Sequence, residues 1–285
     1  MEVFPLIYSR TFYMDYAQNF YVCPYILEDN EKIEKYRDYI LEAVKYPNML
    51  NGVRRIVISE DEYTLFGLVC DLCEFIKEKE DEENYLKYTK DEKGRNILAF
   101  IGVLVKNTNC QKNDIISDFD QVVFELFKDY IADEKKWFEK KINHYVVDSK
   151  KIKTQKFVGG KDGYTRIKCY GRDIFLSTPE SDKKIFTKIM SKCCEKNIRF
   201  CSNYYGIDTL KTSLFHTVTS KYIDKIQQCY EDDIAEKKNA EIKQKQFFPQ
   251  KINRTEIIII LVIIFILFII VLIEMETSYE KSTIN

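Results

Sequence analysis

NILAFIGVLVKN, residues 96–107, is the stretch on which the fold turns. Its interior carries no charge and is rich in Ile, Leu, Val and Phe. It is too short for a typical buried helix and reads as a strand covered on both faces. YTLFGLVCDLCEFI, residues 63–76, is apolar in the same way but ambiguous between a long strand and a buried helix. Its β-rich start and the central Gly67 favour strand. Between the two, residues 78–95 are dense in both charges and read as a solvated loop. Two apolar strands on either side of such a loop are expected to pair antiparallel.

Outward from this pair the pattern alternates. VFPLIYSRTF (3–12) and NFYVCPYIL (19–27) are strand-like, with Pro5 and Pro24 suited to edges or strand ends. Residues 29–47 carry a helical stripe of Ile33, Tyr36, Ile40 and Val44, stopped by Pro47. RRIVIS (54–59) is a short strand. A long helix is expected from Asn113 or Asp114, with Ile115, Phe119, Val122, Leu126 and Tyr130 on one stripe and a charged continuation toward Lys141. INHYVVDS (142–149) is a strand, and Gly171-Arg172 joins two more as a hairpin. VGGKDGY (158–164) lacks phosphate-loop spacing and reads as a turn. Thr178 caps a helix with Pro179 at its first position. IRFC (198–201) is a strand, and helical stretches follow around 208–215 and 222–230. The expected class is α+β: mainly antiparallel strands packed with several helices, plus one C-terminal transmembrane helix.

That last element is residues 257–273, ten Ile, three Leu, two Val and two Phe without a polar side-chain atom. Seventeen helical residues span about 25 Å, at the short end for a hydrocarbon core of about 30 Å. The alternative, a buried core helix, normally carries a polar or small residue in such a length. Lys and Arg precede the segment and Glu follows it, so the large N-terminal part is expected in the cytoplasm. The segment has no Gly, Ala or Ser seam and no ionisable group, which points to an anchor over a pore or transporter. The expected division is a cytosolic body (1–230, with a subdomain boundary near 143), a charged juxtamembrane linker (231–256), the membrane helix (257–273) and a short acidic tail (274–285). In the linker Phe247, Phe248, Lys251 and Arg254 suit a headgroup layer, although a solvated stalk fits the same residues.

Composition excludes some functions. With 44 basic and 45 acidic residues the net charge is −1, so no global field draws the chain to nucleic acid. The start has no basic n-region or apolar run and reads as no signal peptide. Nine cysteines without scaffold rhythm fit a reducing compartment. Cys70-x-x-Cys73 lies inside an apolar run and reads as buried; no second pair gives zinc spacing, so no metal and no cofactor is expected.

Two sets of residues are candidates for chemistry. Cys201 with His216 could form a nucleophile–base pair if they meet in space, which one sequence does not show. Arg10, Arg54, Arg55 and Arg95 flank strand ends and would make a small cationic mouth if those ends converged; otherwise they are ordinary strand-end charges. Three readings follow. The first is a membrane-anchored interaction or regulatory module with no catalysis, its partners the lipid bilayer and a protein. The second is a ligand-triggered membrane effector acting as a homo-oligomer, as in bacterial defence systems. The third is a membrane-tethered cysteine hydrolase.

Overall fold

In the computed structural model of the chain the described residues are 1–15, 21–27, 30–45, 52–60, 62–77, 79, 82–111, 113–140, 145–158, 164–192, 195 and 197–247. The expected membrane segment, the glycine turn at 159–163 and the residues around Asn51 lie outside them.

The strand of residues 96–107 is β5 (Leu98–Lys106), and it pairs antiparallel with β4 (Tyr63–Asp71) from Tyr63 opposite Lys106 to Asp71 opposite Leu98. Both strands are buried along almost their whole length because helices cover both faces of the sheet. The period-2 alternation sends Phe66, Leu68, Cys70, Ile101, Val103 and Val105 into one core and Leu65, Val69, Phe100 and Leu104 into the other. β3 (Arg54–Ser59) pairs antiparallel on the far side of β4, and β1 (Glu2–Tyr8) on the far side of β5. Beyond β1 lie β2 (Val22–Pro24), β7 (Tyr145–Val147) and, against β1, β8 (Lys150–Lys151).

Beyond β3 the sheet changes character. A hairpin of β10 (Arg166–Cys169) and β11 (Arg172–Leu176) turns through Tyr170 (φ 49°) and Gly171 (φ 75°), the pair of positive φ values that a twisted two-residue turn demands. The expected hairpin forms, with its turn one residue earlier than Gly171-Arg172. The helix α6 (Pro179–Met190) follows, then β12 (Arg199–Cys201), a 3-10 turn at Ile207–Thr212, and β13 (Thr217–Ser220). β13 inserts between β11 and β12 and is parallel to both, and β12 returns the sheet to β3 antiparallel. The class is therefore mixed α+β with one large, mostly antiparallel sheet. Strands from the two halves of the chain share that sheet: β7 pairs with β2, β8 with β1 and β12 with β3. One compact unit comprises Met1–Glu231 and a second Asp232–Asn285.

One face of the sheet is covered by α2 (Leu72–Lys77), α4 (Phe119–Leu126), α5 (Glu134–Trp137) and α6, which bury Phe75, Phe119, Phe127, Trp137 and Phe186. The other is covered by α1 (Asn30–Val44), the 3-10 turn and the start of α7 (Ile223–Phe247), burying Tyr39, Ile40, Leu210, Phe215 and Ile226. Thr178 caps α6 by accepting from the Ser181 N–H, with Ser181 reciprocating, as its residue type predicts. No helix among the described residues is long and apolar enough to cross a membrane.

Three expectations on local structure are corrected. The stretch 63–76 is both alternatives in turn: β4 ends at Asp71, whose carboxylate accepts from the Cys73 and Glu74 N–H groups and starts α2. The charged stretch 78–95 is not all loop; it holds α3 (Glu82–Tyr85) and a 3-10 turn at Leu86–Thr89, with Tyr88 and Thr89 buried. The long helix does not begin at Asn113, which has a positive φ (66°), but after Asp118, whose carboxylate caps α4. Residues 114–116 are instead β6 (Asp114–Ile116), paired antiparallel with β9 (Thr154–Lys156). The helix widens into a π turn at Phe127–Ile131 and stops before Asp133, which caps α5 separately.

Candidate functional site

The four arginines do not form one mouth. Arg54 and Arg55 are neighbours on β3, so their side chains leave opposite faces of the sheet. Arg54, 2% exposed, donates from Nη1 to the carbonyls of Ala43 (2.6 Å) and Lys45 (2.8 Å) and from Nε to that of Asn203 (3.2 Å). It fastens the C-terminal end of α1 to the sheet, where a cation also suits the helix dipole. Arg55 grips both Asp120 oxygens from Nη2, at 3.0 Å each. Arg10 and Arg95 do meet, on Asp91: Arg95 Nε lies 2.7 Å and Arg10 Nη1 3.3 Å from Asp91 Oδ2. That cluster pins the turn before β5 and leaves both cations occupied.

Cys201 ends β12 and His216 immediately precedes β13, the parallel strand beside it, but the two side chains have different surroundings. The Cys201 thiol is fully buried in the α1-side core, donates to the Ser202 carbonyl, and is pushed up to about 12 by that burial. At neutral pH it is a thiol, not a thiolate, and thus a poor nucleophile. His216 is exposed at the start of β13 and faces a cleft. Burial first, then the guanidiniums of Arg199 and Arg172, push its pKa below the ordinary imidazole value. Cys70 and Cys73 are buried across the β4–α2 junction, and burial raises the Cys70 thiol strongly. Phe247 ends α7; Phe248, Lys251 and Arg254 lie outside the described residues. Among the described residues no group of three His, Cys, Asp or Glu side chains is placed to hold a metal ion.

What the structure does build is a cleft at each end of the three parallel strands, with α6 running from one to the other. The cleft at their amino ends has a volume of about 500 Å³. Its floor is apolar: Phe175, Ile185, Ile189 and Ile198. Its rim carries four cations, Arg166, Lys188, Lys192 and Arg199, against two carboxylates, Asp173 and Glu195, with His216 beside them. Arg166 is held by Asp173 at 2.7 Å and Lys192 by Glu195 at 3.7 Å. Arg199 lies over the Tyr39 ring and 3.5 Å from Glu60, a buried carboxylate that Lys35 also binds. The lowered His216 follows first from its partial burial, to which the nearby Arg199 guanidinium adds.

The cleft at the carboxyl ends has a volume of about 450 Å³ and is bordered by Ser177 after β11, Asn203 after β12 and Lys221 after β13. Arg55, Lys183 and Lys184 reach it from β3 and the first turns of α6. A smaller polar cavity of about 170 Å³ lies by Arg54, where Glu42 accepts from the hydroxyls of Tyr204 and Ser213 and from the Leu214 N–H.

None of these cleft residues except Arg55 and His216 stands out in the sequence. The signal it offers is the order strand–capped helix–strand at 172–201, which permits a parallel crossover. Comparison with known proteins returns nothing: no family model, no curated protein and no solved structure matches the chain.

Proposed function

We propose that the chain is a membrane-anchored binding module without catalysis of its own, whose body takes up a small planar anion in the amino-end cleft. The observation that carries this reading is the excess of cations over carboxylates on the rim of an apolar floor, in a cleft of about 500 Å³. Ligand sites have this size and this mixture of apolar lining and few convergent polar groups. A planar apolar body would lie against Phe175 and the three isoleucines while its anionic group faces the rim. Anchoring rests on residues 257–273, and a cytoplasmic body on the charge asymmetry of their flanks. The high, buried Cys201 thiol and the separate environment of His216 speak against a Cys201–His216 nucleophile–base pair. A bound anion would then alter the surface that a protein partner reads.

The test uses the full chain in lipid nanodiscs with 2-naphthoate, a fluorescent planar monoanion. Binding with a Kd below about 1 mM, weakened several-fold by Lys188→Gln with Lys192→Gln, is expected. No saturable binding, or binding that ignores the loss of both charges, would overturn the reading.

A further inference from the structure

We infer that the carboxyl-end cleft is a second, independent site, which takes a small phosphorylated molecule. Its position comes from the strand order. Because β13 is inserted between β11 and β12, the chain leaves β11 for α6 on one side and approaches β13 from the other. The crevice beyond the carboxyl ends of such strands is where open sheets containing parallel strands take up ligands. All three loops after the parallel strands contribute to it, through Ser177, Asn203 and Lys221.

The chemistry of the lining points to a dianion. Arg55, Lys183, Lys184 and Lys221 border the cleft. Asp120 accepts both Arg55, through both oxygens, and Lys183 at 2.9 Å, so one carboxylate answers two cations. Arg55 is only 8% exposed, and its Nε is buried without a hydrogen-bond partner. Such donors are rare in folded proteins, because leaving one unmade costs its desolvation. Lys184 and Lys221 stand exposed at the rim, Lys221 beside the Tyr222 ring. The two acids of the lining are unequal. Glu180 is exposed. Asp182 is 5% exposed, accepts from the Thr219 hydroxyl, and has its carboxyl raised by burial. The α6 backbone is not the recognition element, since Thr178 and Ser181 already cap each other. The fork of Arg55, a buried guanidinium, with two exposed ammonium groups is the combination that binds phosphate oxygens. At about 450 Å³ the cleft also leaves room for the molecule that carries the phosphate.

The inference does not depend on the amino-end cleft, and its test separates the two. The full chain in nanodiscs is titrated with inorganic phosphate, against chloride at matched ionic strength, and unfolding temperature and heat of binding are recorded. Saturable stabilisation by phosphate is expected. Lys184→Gln with Lys221→Gln, both at exposed positions, should lower phosphate affinity about tenfold while leaving naphthoate binding intact. Lys188→Gln with Lys192→Gln should do the converse. An unchanged unfolding temperature of each double variant without ligand shows that the fold is kept. Phosphate that stabilises no more than chloride up to about 20 mM would overturn the inference. So would an equal loss of phosphate binding in both double variants, which would mark a general charge effect.

Discussion

The central strands of the sheet are held against each other by an unusual contact, and it makes a sharp prediction. Gly67 on β4 stands opposite Gly102 on β5, and the Phe100 ring lies across both. A Cβ at Gly67 would sit 2.0 Å from Phe100 Cε2 and 2.4 Å from Cζ. Carbon atoms in contact prefer about 3.5–4.0 Å, so the ring would have to retreat by roughly 1.5 Å. Phe100 is 0% exposed and has nowhere to go without opening a void. Overpacking of this kind costs about 1–3 kcal/mol. The alanine returns about 0.5–1 kcal/mol through the smaller backbone entropy of the unfolded chain. A net loss of about 1 kcal/mol is expected for Gly67→Ala, or about 2–4 °C in unfolding temperature for a unit of this size. Phe100→Ala alone should cost about 3–5 kcal/mol. In the Phe100→Ala background, however, Gly67→Ala should cost nothing or be slightly favourable, giving a coupling of about 2 kcal/mol. Gly102→Ala is the contrast: its Cβ meets the Phe66 carbonyl oxygen at 2.4 Å, and a backbone atom in a strand does not rotate away. Its cost should persist when Phe100 is removed. Chemical denaturation of the four Gly67/Phe100 combinations decides the matter. A Gly67→Ala penalty below about 0.5 kcal/mol, or one equal in both backgrounds, refutes the claim that the ring occupies the glycine's space.

Two acids near the carboxyl-end cleft should respond in opposite ways. Burial pushes the Asp120 carboxyl up, but Arg55 and Lys183 outweigh it, and the folded value lies below the usual one. Its stabilisation is therefore present above the unfolded value of about 3.9 and lost as pH falls through the folded value. Asp120→Asn should cost about 3 kcal/mol at pH 7, because Arg55 is left buried and unpaired, and should flatten the decline below pH 4. Asp182 is raised by burial, only partly opposed by hydroxyl donors from Thr219 and Ser177. Its folded form holds the proton more tightly, so it adds stability as pH falls through the folded value toward the unfolded one. Asp182→Asn keeps an acceptor for Thr219 and should change stability at pH 7 by between zero and about +1 kcal/mol, while removing that gain; urea midpoints at pH 7, 5 and 4 check both variants.

Elements that depend on their own residues are legible in the sequence. The β4–β5 pair follows from two runs of apolar residues, and α6 from Thr178, Pro179 and the stripe that follows. Expectation and fold part where a short side chain competes locally. Asp71 and Asp118 each start a helix by capping it, and apolar content alone does not distinguish a strand that ends in such a cap from one that continues. Asn113 shows the same limit: as a candidate cap it suggests a helix start, whereas the chain uses its tolerance for positive φ to turn into β6.

The arginines separate what local pattern encodes from what it does not. With RRIVIS read as a strand, the alternation of side chains already places Arg54 and Arg55 on opposite faces, so a mouth containing both conflicts with the strand itself. Their partners are another matter. Arg55 finds Asp120, 65 residues away, and Arg54 finds the carbonyl of Asn203, 149 residues away. Those distances are closed by the order in which the strands pair, and no local pattern encodes strand order. The insertion of β13 between β11 and β12 likewise brings Lys183, Lys184 and Lys221 to one crevice and Arg166, Arg199 and His216 to the other. A cation that reads as surface charge in the sequence becomes part of a site only through the pairing of strands that its own neighbours do not specify.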